Sequence, residues 1–101
     1  MTVITVEDYN IRVEGHTGYA PLGEDIACAG VSTLLYALGE WVEHNSDKAL
    51  DSAVDLGNGA GSVYFQPREE YSEIWSALCE AFILGCEGLC ELFPDHIALL
   101  S

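Results

Sequence analysis

The sequence predicts an α/β (α+β) two-layer sandwich in the order β-β-α-β-β-α, with both helices packed on one face of a mainly antiparallel sheet. Three observations carry that expectation. Two β-branched or alternating segments open the chain (2–6 and 10–14), and a second strand-like pair (49–56 and 62–66) flanks an Asn58-Gly59 turn. Two long segments, from Ile26 to about His44 and from Pro67 to Phe93, repeat their apolar residues at helical spacing. Half of the 101 residues are apolar and spread along the chain. That is enough to bury a core without disulfide or metal staples, so residues 1–101 read as a single domain.

Taken in order, Thr2 to Val6 form a strand, Glu7-Asp8 a turn, and Ile11 and Val13 alternate with Asn10, Arg12 and Glu14 in a half-buried second strand. This hairpin delivers His16 at its end. Gly15, Gly18, Pro21 and Gly23 then mark a loop whose glycines permit conformations that bulkier residues forbid. Glu24 or Asp25 is the expected N-cap of the first helix, which places Cys28 in the first turn. Ile26, Val31, Leu34, Leu35, Leu38, Trp41 and Val42 form the apolar face of that helix, and Asn45-Ser46-Asp47 ends it. The small run Ala27-Cys28-Ala29-Gly30 calls for close packing against the first turn and a half.

Pro67 and the acidic pair Glu69-Glu70 start the second helix. Its stripe runs Tyr71, Ile74, Trp75, Leu78, Phe82, Leu89 and Phe93, with Cys79, Cys86 and Cys90 alongside. Gly85 and Gly88 each cost such a helix roughly 1 kcal/mol relative to Ala. A helix keeps them most readily where another backbone approaches, which could belong to a second subunit. Phe93-Pro94 ends the helix and leaves a short docked tail.

Three basic residues stand against seventeen acidic ones, for a net charge of -14. A surface that negative repels nucleic-acid phosphates and attracts cationic partners, a basic peptide above all. No charged-then-apolar leader and no apolar run near eighteen residues is present, so the expectation is a cytoplasmic protein without membrane contact. Cys79, Cys86 and Cys90 recur at i, i+7 and i+11 on one helix, where intrahelical pairs cannot meet disulfide geometry. All four cysteines therefore read as free thiols in a reducing compartment. Without a Cys-x-x-Cys, a redox role fits poorly. Cys86, Cys90 and His96 could suggest a metal site, but Cys86 and Cys90 fall in the apolar stripe, where cysteine behaves as a small hydrophobe. No metal or cofactor is expected. His44 reads as a solvated residue complementing the dipole at a helix C-terminus.

His16 and Cys28, at either end of the glycine-punctuated loop, are the minimum equipment for thiolate nucleophilic catalysis. Taken alone, the two residues fit a packing cysteine and a turn histidine better than they fit catalysis. The surrounding pattern reverses that balance. Gly15-His16-x-Gly18-Tyr19-Ala20, followed by Gly23-x-Asp25-Ile26-x-Cys28-Ala29-x-Val31-Ser32, closely resembles the bacterial ribosomal-processing cysteine protease family Prp. The His–Cys spacing matches the family, and the chain agrees with it in length and element order. Thr17, where alanine is common, and Ala27, where a larger aliphatic is common, depart from the pattern without touching its chemistry.

The resemblance implies a cysteine endopeptidase that removes an N-terminal extension from a large-subunit ribosomal protein precursor, or cuts a related phage structural protein. It also implies a homodimer. His16 and Cys28 carry over as the catalytic pair, Asp25 and Ser32 as supporting positions, and Gly15, Gly18, Tyr19, Gly23 and Ala29 as the substrate loop and oxyanion region. In the expected acyl transfer Cys28 attacks the scissile carbonyl and amides at the helix N-terminus steady the oxyanion. His16 protonates the leaving amine, and water then hydrolyses the thioester. A carboxylate ~6 Å from the sulfur at an effective dielectric of ~20 would oppose the thiolate by about 3 kcal/mol. That exceeds the 0.3–1 kcal/mol typical of a helix dipole, ~2 at most. Either Asp25 turns away, capping amides or orienting His16, or the resting enzyme holds a largely neutral pair. The first is favoured, because a cap residue three positions before Cys28 turns toward backbone amides. Ser32, one turn after Cys28, fits a supporting group or a small packing residue equally. The rival reading is a non-catalytic dimeric acidic module that binds a basic peptide or ribosomal protein, with Cys28 inert.

Overall fold

The structure, a computed structural model, describes residues 1–15, 22–57 and 60–100, with the side chains of 22–25 outside the description. Its elements are β1 (Thr2–Val6), β2 (Asn10–Glu14), α1 (Leu22–His44), β3 (Ala49–Leu56), β4 (Ala60–Pro67), α2 (Ser72–Leu92) and β5 (Ile97–Leu100). Short 3₁₀ turns at Ser46–Lys48 and Glu69–Tyr71 precede β3 and α2. The five strands lie in the order β3-β4-β2-β1-β5. Pairings β1–β2, β2–β4 and β3–β4 are antiparallel, and only β1–β5 is parallel. The expected α+β sandwich is thus the observed fold. The Asn58-Gly59 turn itself lies outside the described residues, although β3 and β4 pair as the hairpin requires.

The fifth strand corrects the expectation of a docked tail. The Phe93 amide donates to the Leu89 carbonyl and the His96 amide to the Phe93 carbonyl, which turns the chain back after Pro94. The Thr2 amide then donates to the His96 carbonyl, at 2.8 Å, and Ile97 to Leu100 run alongside Thr2 to Thr5. A four-residue apolar run without alternation carries no period, so only the free edge of β1 makes it a strand.

Register lines up the buried apolar positions of neighbouring strands on one face. Ile4 stands opposite Val13 and Leu99, Ile11 opposite Val63, and Val63 opposite Val54. That face packs against both helices in a continuous core containing Ile4, Ile11, Val31, Val63, Phe65, Trp75, Phe82 and Cys86. Each large aliphatic or aromatic side chain so buried contributes about 1.5–3 kcal/mol. Phe65 of β4 sits 5.4 Å from Trp41 of α1 and 4.7 Å from Trp75 of α2, tying the two helices to the sheet.

Four expectations at the element ends and faces are revised. Helix α1 begins at Leu22, so neither Glu24 nor Asp25 is its N-cap, and both lie in its first turn. Pro67 closes β4 opposite Ala49, and α2 itself begins only at Ser72, because the strand ladder extends through the proline. Ile26 and Ile74 are exposed, at 51% and 47%, since the helices turn them away from the sheet. Finally, the close approach expected at Gly85 comes from the other helix of this chain. A Cβ on Gly85 would lie 3.0 Å from Leu34, while one on Gly30 would lie 2.9 Å from Leu89. Each helix thus offers a glycine to the other's leucine.

Gly88 has no neighbour within 4 Å of where a Cβ would stand and is exposed. Gly88→Ala is therefore expected to stabilise the protein by about 1 kcal/mol through helix propensity. Gly85→Ala should gain little, because Leu34 must shift to make room. Urea unfolding midpoints of the two variants, read side by side, check this.

Candidate active site

The inward alternation of β1 that buries Ile4 also turns Thr2 toward the helices, and both residues are almost fully buried. Across the pairing, β2 ends at Glu14, opposite Val3, and Gly15 follows with φ +97°. A Cβ at Gly15 would stand 2.2 Å from the Met1 carbonyl oxygen and 3.7 Å from Thr2 Cα. Only glycine fits that backbone without strain. Gly15 therefore lets β2 end tightly against the start of β1, and His16 is bonded directly to it.

Cys28 comes to the same end of the sheet from the helix layer. On α1 the buried positions Ala27, Cys28, Val31, Leu35, Leu38 and Val42 form the stripe that faces the strands. Cys28 Sγ lies 2.6 Å from Thr2 Oγ1, and either atom can be the donor. Cys28 is 2% exposed and Thr2 1%. Among the described residues, Thr2 is the only hydrogen-bond partner of the Cys28 sulfur. Sequence reasoning missed Thr2 because it reads as one more β-branched strand residue. Only the packing of α1 on β1 reveals what its hydroxyl touches.

Cys28 is the seventh residue of α1, not a first-turn residue. The free amides of a helix are its first four, here those of 22–25, so the Cys28 amide is engaged within the helix. The dipole acts mainly in the first turn, and its help to a thiolate at Cys28 is smaller than the sequence suggested. The Cα–Cβ bond of a helical residue does, however, tilt toward the helix N-terminus, in the direction of those free amides.

Of the other predicted positions, His16, Gly18 and Tyr19 lie outside the described residues. Gly23 and Asp25 fall in the first turn of α1, and the Asp25 side chain is outside the description. Ala29 is exposed, and its carbonyl accepts a hydrogen bond from the Thr33 hydroxyl at 2.8 Å. Ser32 is exposed, whereas Cys28 is buried.

The remaining thiols sit in different surroundings. Cys86 belongs to the apolar core, and burial pushes its thiol up to about 12, with Cys90 adding to the effect. Burial raises Cys79 to about 11, and Cys90 is raised by burial and by Glu87. All three stay protonated through neutral pH and are poor nucleophiles. The four cysteines are free. Among the described residues, no three or more His, Cys, Asp or Glu side chains gather where a metal could be held. His44 is exposed, with Nδ1 donating to the Glu40 carbonyl at the end of α1. No described helix is long and apolar enough to cross a membrane.

The profile of the family described as Cysteine protease Prp matches residues 1–98. A relative named Ribosomal processing cysteine protease Prp, from Mycoplasma pneumoniae, is 37% identical over 53 residues, which is 52% of this chain and 53% of that protein. The alignment thus spans about half the length of the relative. Among solved structures, SMU.848 from Streptococcus mutans superposes with a TM-score of 0.72 at 26% identity, covering 98% of this chain and 90% of that one. The essential ribosomal processing protease Prp from S. aureus, in complex with a substrate peptide, gives 0.71 at 19% identity, over 97% and 94% of the two chains. A family match along nearly the whole length, on a fold shared with a solved member, establishes that this chain belongs to the cysteine protease Prp family.

Proposed function

We propose that this chain is the endopeptidase that trims a basic N-terminal extension from a large-subunit ribosomal protein precursor, or from a related phage structural protein. Cys28 is the nucleophile and His16 its acid–base partner. Family membership supports the reaction class, and the names of the relatives support a ribosomal substrate. The observation that carries the assignment of the nucleophile is the contrast among the four thiols. Cys86 is embedded in apolar core and Cys79 and Cys90 pack against it, while the sulfur of Cys28 is held by a hydroxyl, at the sheet end from which His16 continues.

Charge supports the substrate. Seventeen acidic residues face three basic ones. Those three are engaged locally: Arg12 lies 3.8 Å from Glu14, Lys48 donates to Asn45, and Arg68 donates to the Asp47 carbonyl. The negative field is left for a cationic chain to neutralise.

In the proposed reaction, the proton of Cys28 passes to His16, and the thiolate attacks the scissile carbonyl carbon. The imidazolium then protonates the departing amine as the C–N bond breaks, leaving a thioester on Sγ. His16 next takes a proton from water, whose oxygen attacks the thioester, and the sulfur leaves as thiolate. Free amides at the start of α1 serve the oxyanion. Asp25 and Ser32 support the site from α1, and two copies of the chain form the working enzyme. Because Cys28 is 2% exposed, the groups over the sulfur must part before a peptide carbonyl reaches it.

The test is to mix the purified chain with candidate precursors, ribosomal and virion, and to locate any cut by mass. Removal of a short N-terminal segment from one of them is expected. Tight binding of a basic precursor with no cut under any condition would favour the non-catalytic module instead.

A further inference from the structure

We infer that Thr2 is a positioning residue for the Cys28 nucleophile, its hydroxyl donating a hydrogen bond to the sulfur once the thiol has lost its proton. The inference rests on the proposal that Cys28 is the nucleophile. Three observations carry it: the 2.6 Å contact between Oγ1 and Sγ, the near-complete burial of both residues, and the absence of any other hydrogen-bond partner for Sγ among the described residues.

In the neutral state two arrangements are open, S–H to oxygen or O–H to sulfur, and both are weak because a thiol is a weak donor and a weak acceptor. Loss of the thiol proton removes the first. The thiolate can only accept, and the hydroxyl then makes a charge-assisted bond, roughly twice as strong as a neutral one. Burial sharpens the difference, because water cannot replace the lost donor. Thr2 therefore favours the charged sulfur over the neutral one, and it also fixes where that sulfur points.

The hydroxyl is itself held firmly. The Thr2 amide donates to the His96 carbonyl, and β1 is paired on both sides, with β2 and β5. β5, the element the sequence left as a tail, is thus part of what aims the hydroxyl at the sulfur. Thr2 has β-branched rotamer restriction as well, so little freedom is lost in holding the bond.

Thr2→Val replaces the hydroxyl with a methyl of similar size. The readout is alkylation of Cys28 by iodoacetamide, localised by mass and followed against pH, because it reads thiolate whether or not any peptide is cut. Relative to the parent, Thr2→Val should alkylate about five- to tenfold more slowly at neutral pH. The difference should shrink as the pH is raised, because hydroxide then removes the thiol proton without help from the hydroxyl. Thr2→Ser, which keeps the hydroxyl, should restore the neutral rate, and Thr2→Ala, with no second methyl to seat, should repeat the slowing if the valine variant folds poorly. Equal rates at neutral pH would overturn the inference, and so would a parallel slowing at every pH, since that is what packing alone produces. Failure of the underlying proposal shows elsewhere, as peptide cleavage surviving in Cys28→Ala.

Discussion

Cys28→Ala is expected to abolish cleavage, lowering kcat/KM on a basic N-terminal-extension peptide by at least about a thousandfold. Alanine has no lone pair to attack with, and the three remaining thiols cannot substitute. Two of them are pushed up to about 11 and 12 by burial, and the third is raised as well. The same change deletes the partner of the buried Thr2 hydroxyl, at a cost of about 1–3 kcal/mol in stability. Loss of activity must therefore be separated from loss of fold. Cys28→Ser does this, because it keeps a hydrogen-bonding atom beside Thr2 while an unactivated hydroxyl is a far weaker nucleophile. Both variants should unfold cooperatively in urea, with the serine form closer to the parent, and neither should cut. His16→Ala should be equally silent. Turnover at the parent rate in any of the three would remove that residue from the mechanism.

Gly15→Ala is the second change with a large expected effect, a destabilisation of about 2–4 kcal/mol. The position has φ +97°, where an L side chain is strained, and the new methyl would meet the Met1 carbonyl oxygen 2.2 Å away. Neither neighbour is a flexible side chain tip, so backbone must move. What moves is the junction of β1 and β2, and with it Thr2. The expected signature is a lowered urea midpoint together with a loss of peptide cleavage larger than the fraction unfolded explains, because the surviving folded molecules hold the sulfur less well. Gly88→Ala, in open space on α2, is the matched control and should move stability the other way. An unchanged midpoint in Gly15→Ala would mean that the strand junction is more accommodating than its geometry indicates.

Much of this arrangement is legible without coordinates. Ile4, Ile11 and Val13 are buried where alternation puts them, and Val63 and Phe65 follow the same rule in β4. Val31, Leu35, Leu38 and Val42 repeat at helical spacing and face the sheet as that spacing demands. Period is a local property, and so is turn chemistry, which is why these elements can be read from neighbours in the chain. The ends are less legible. The start of α1 ahead of Glu24, and the continuation of β4 through Pro67, depend on which backbone partners are within reach.

Residue types along the chain were enough to establish two layers, a histidine and a cysteine flanking a glycine-rich stretch, and a net charge of -14, because periodicity, spacing and charge can all be read along a polymer. Tertiary structure alone decided that residues 97–100 complete the sheet beside β1, that Gly30 and Gly85 seat leucines of the opposite helix, and that the hydroxyl of Thr2 meets the sulfur of Cys28. Those contacts join positions remote in sequence, and their geometry follows from how the helix layer settles on the sheet, which no local pattern encodes.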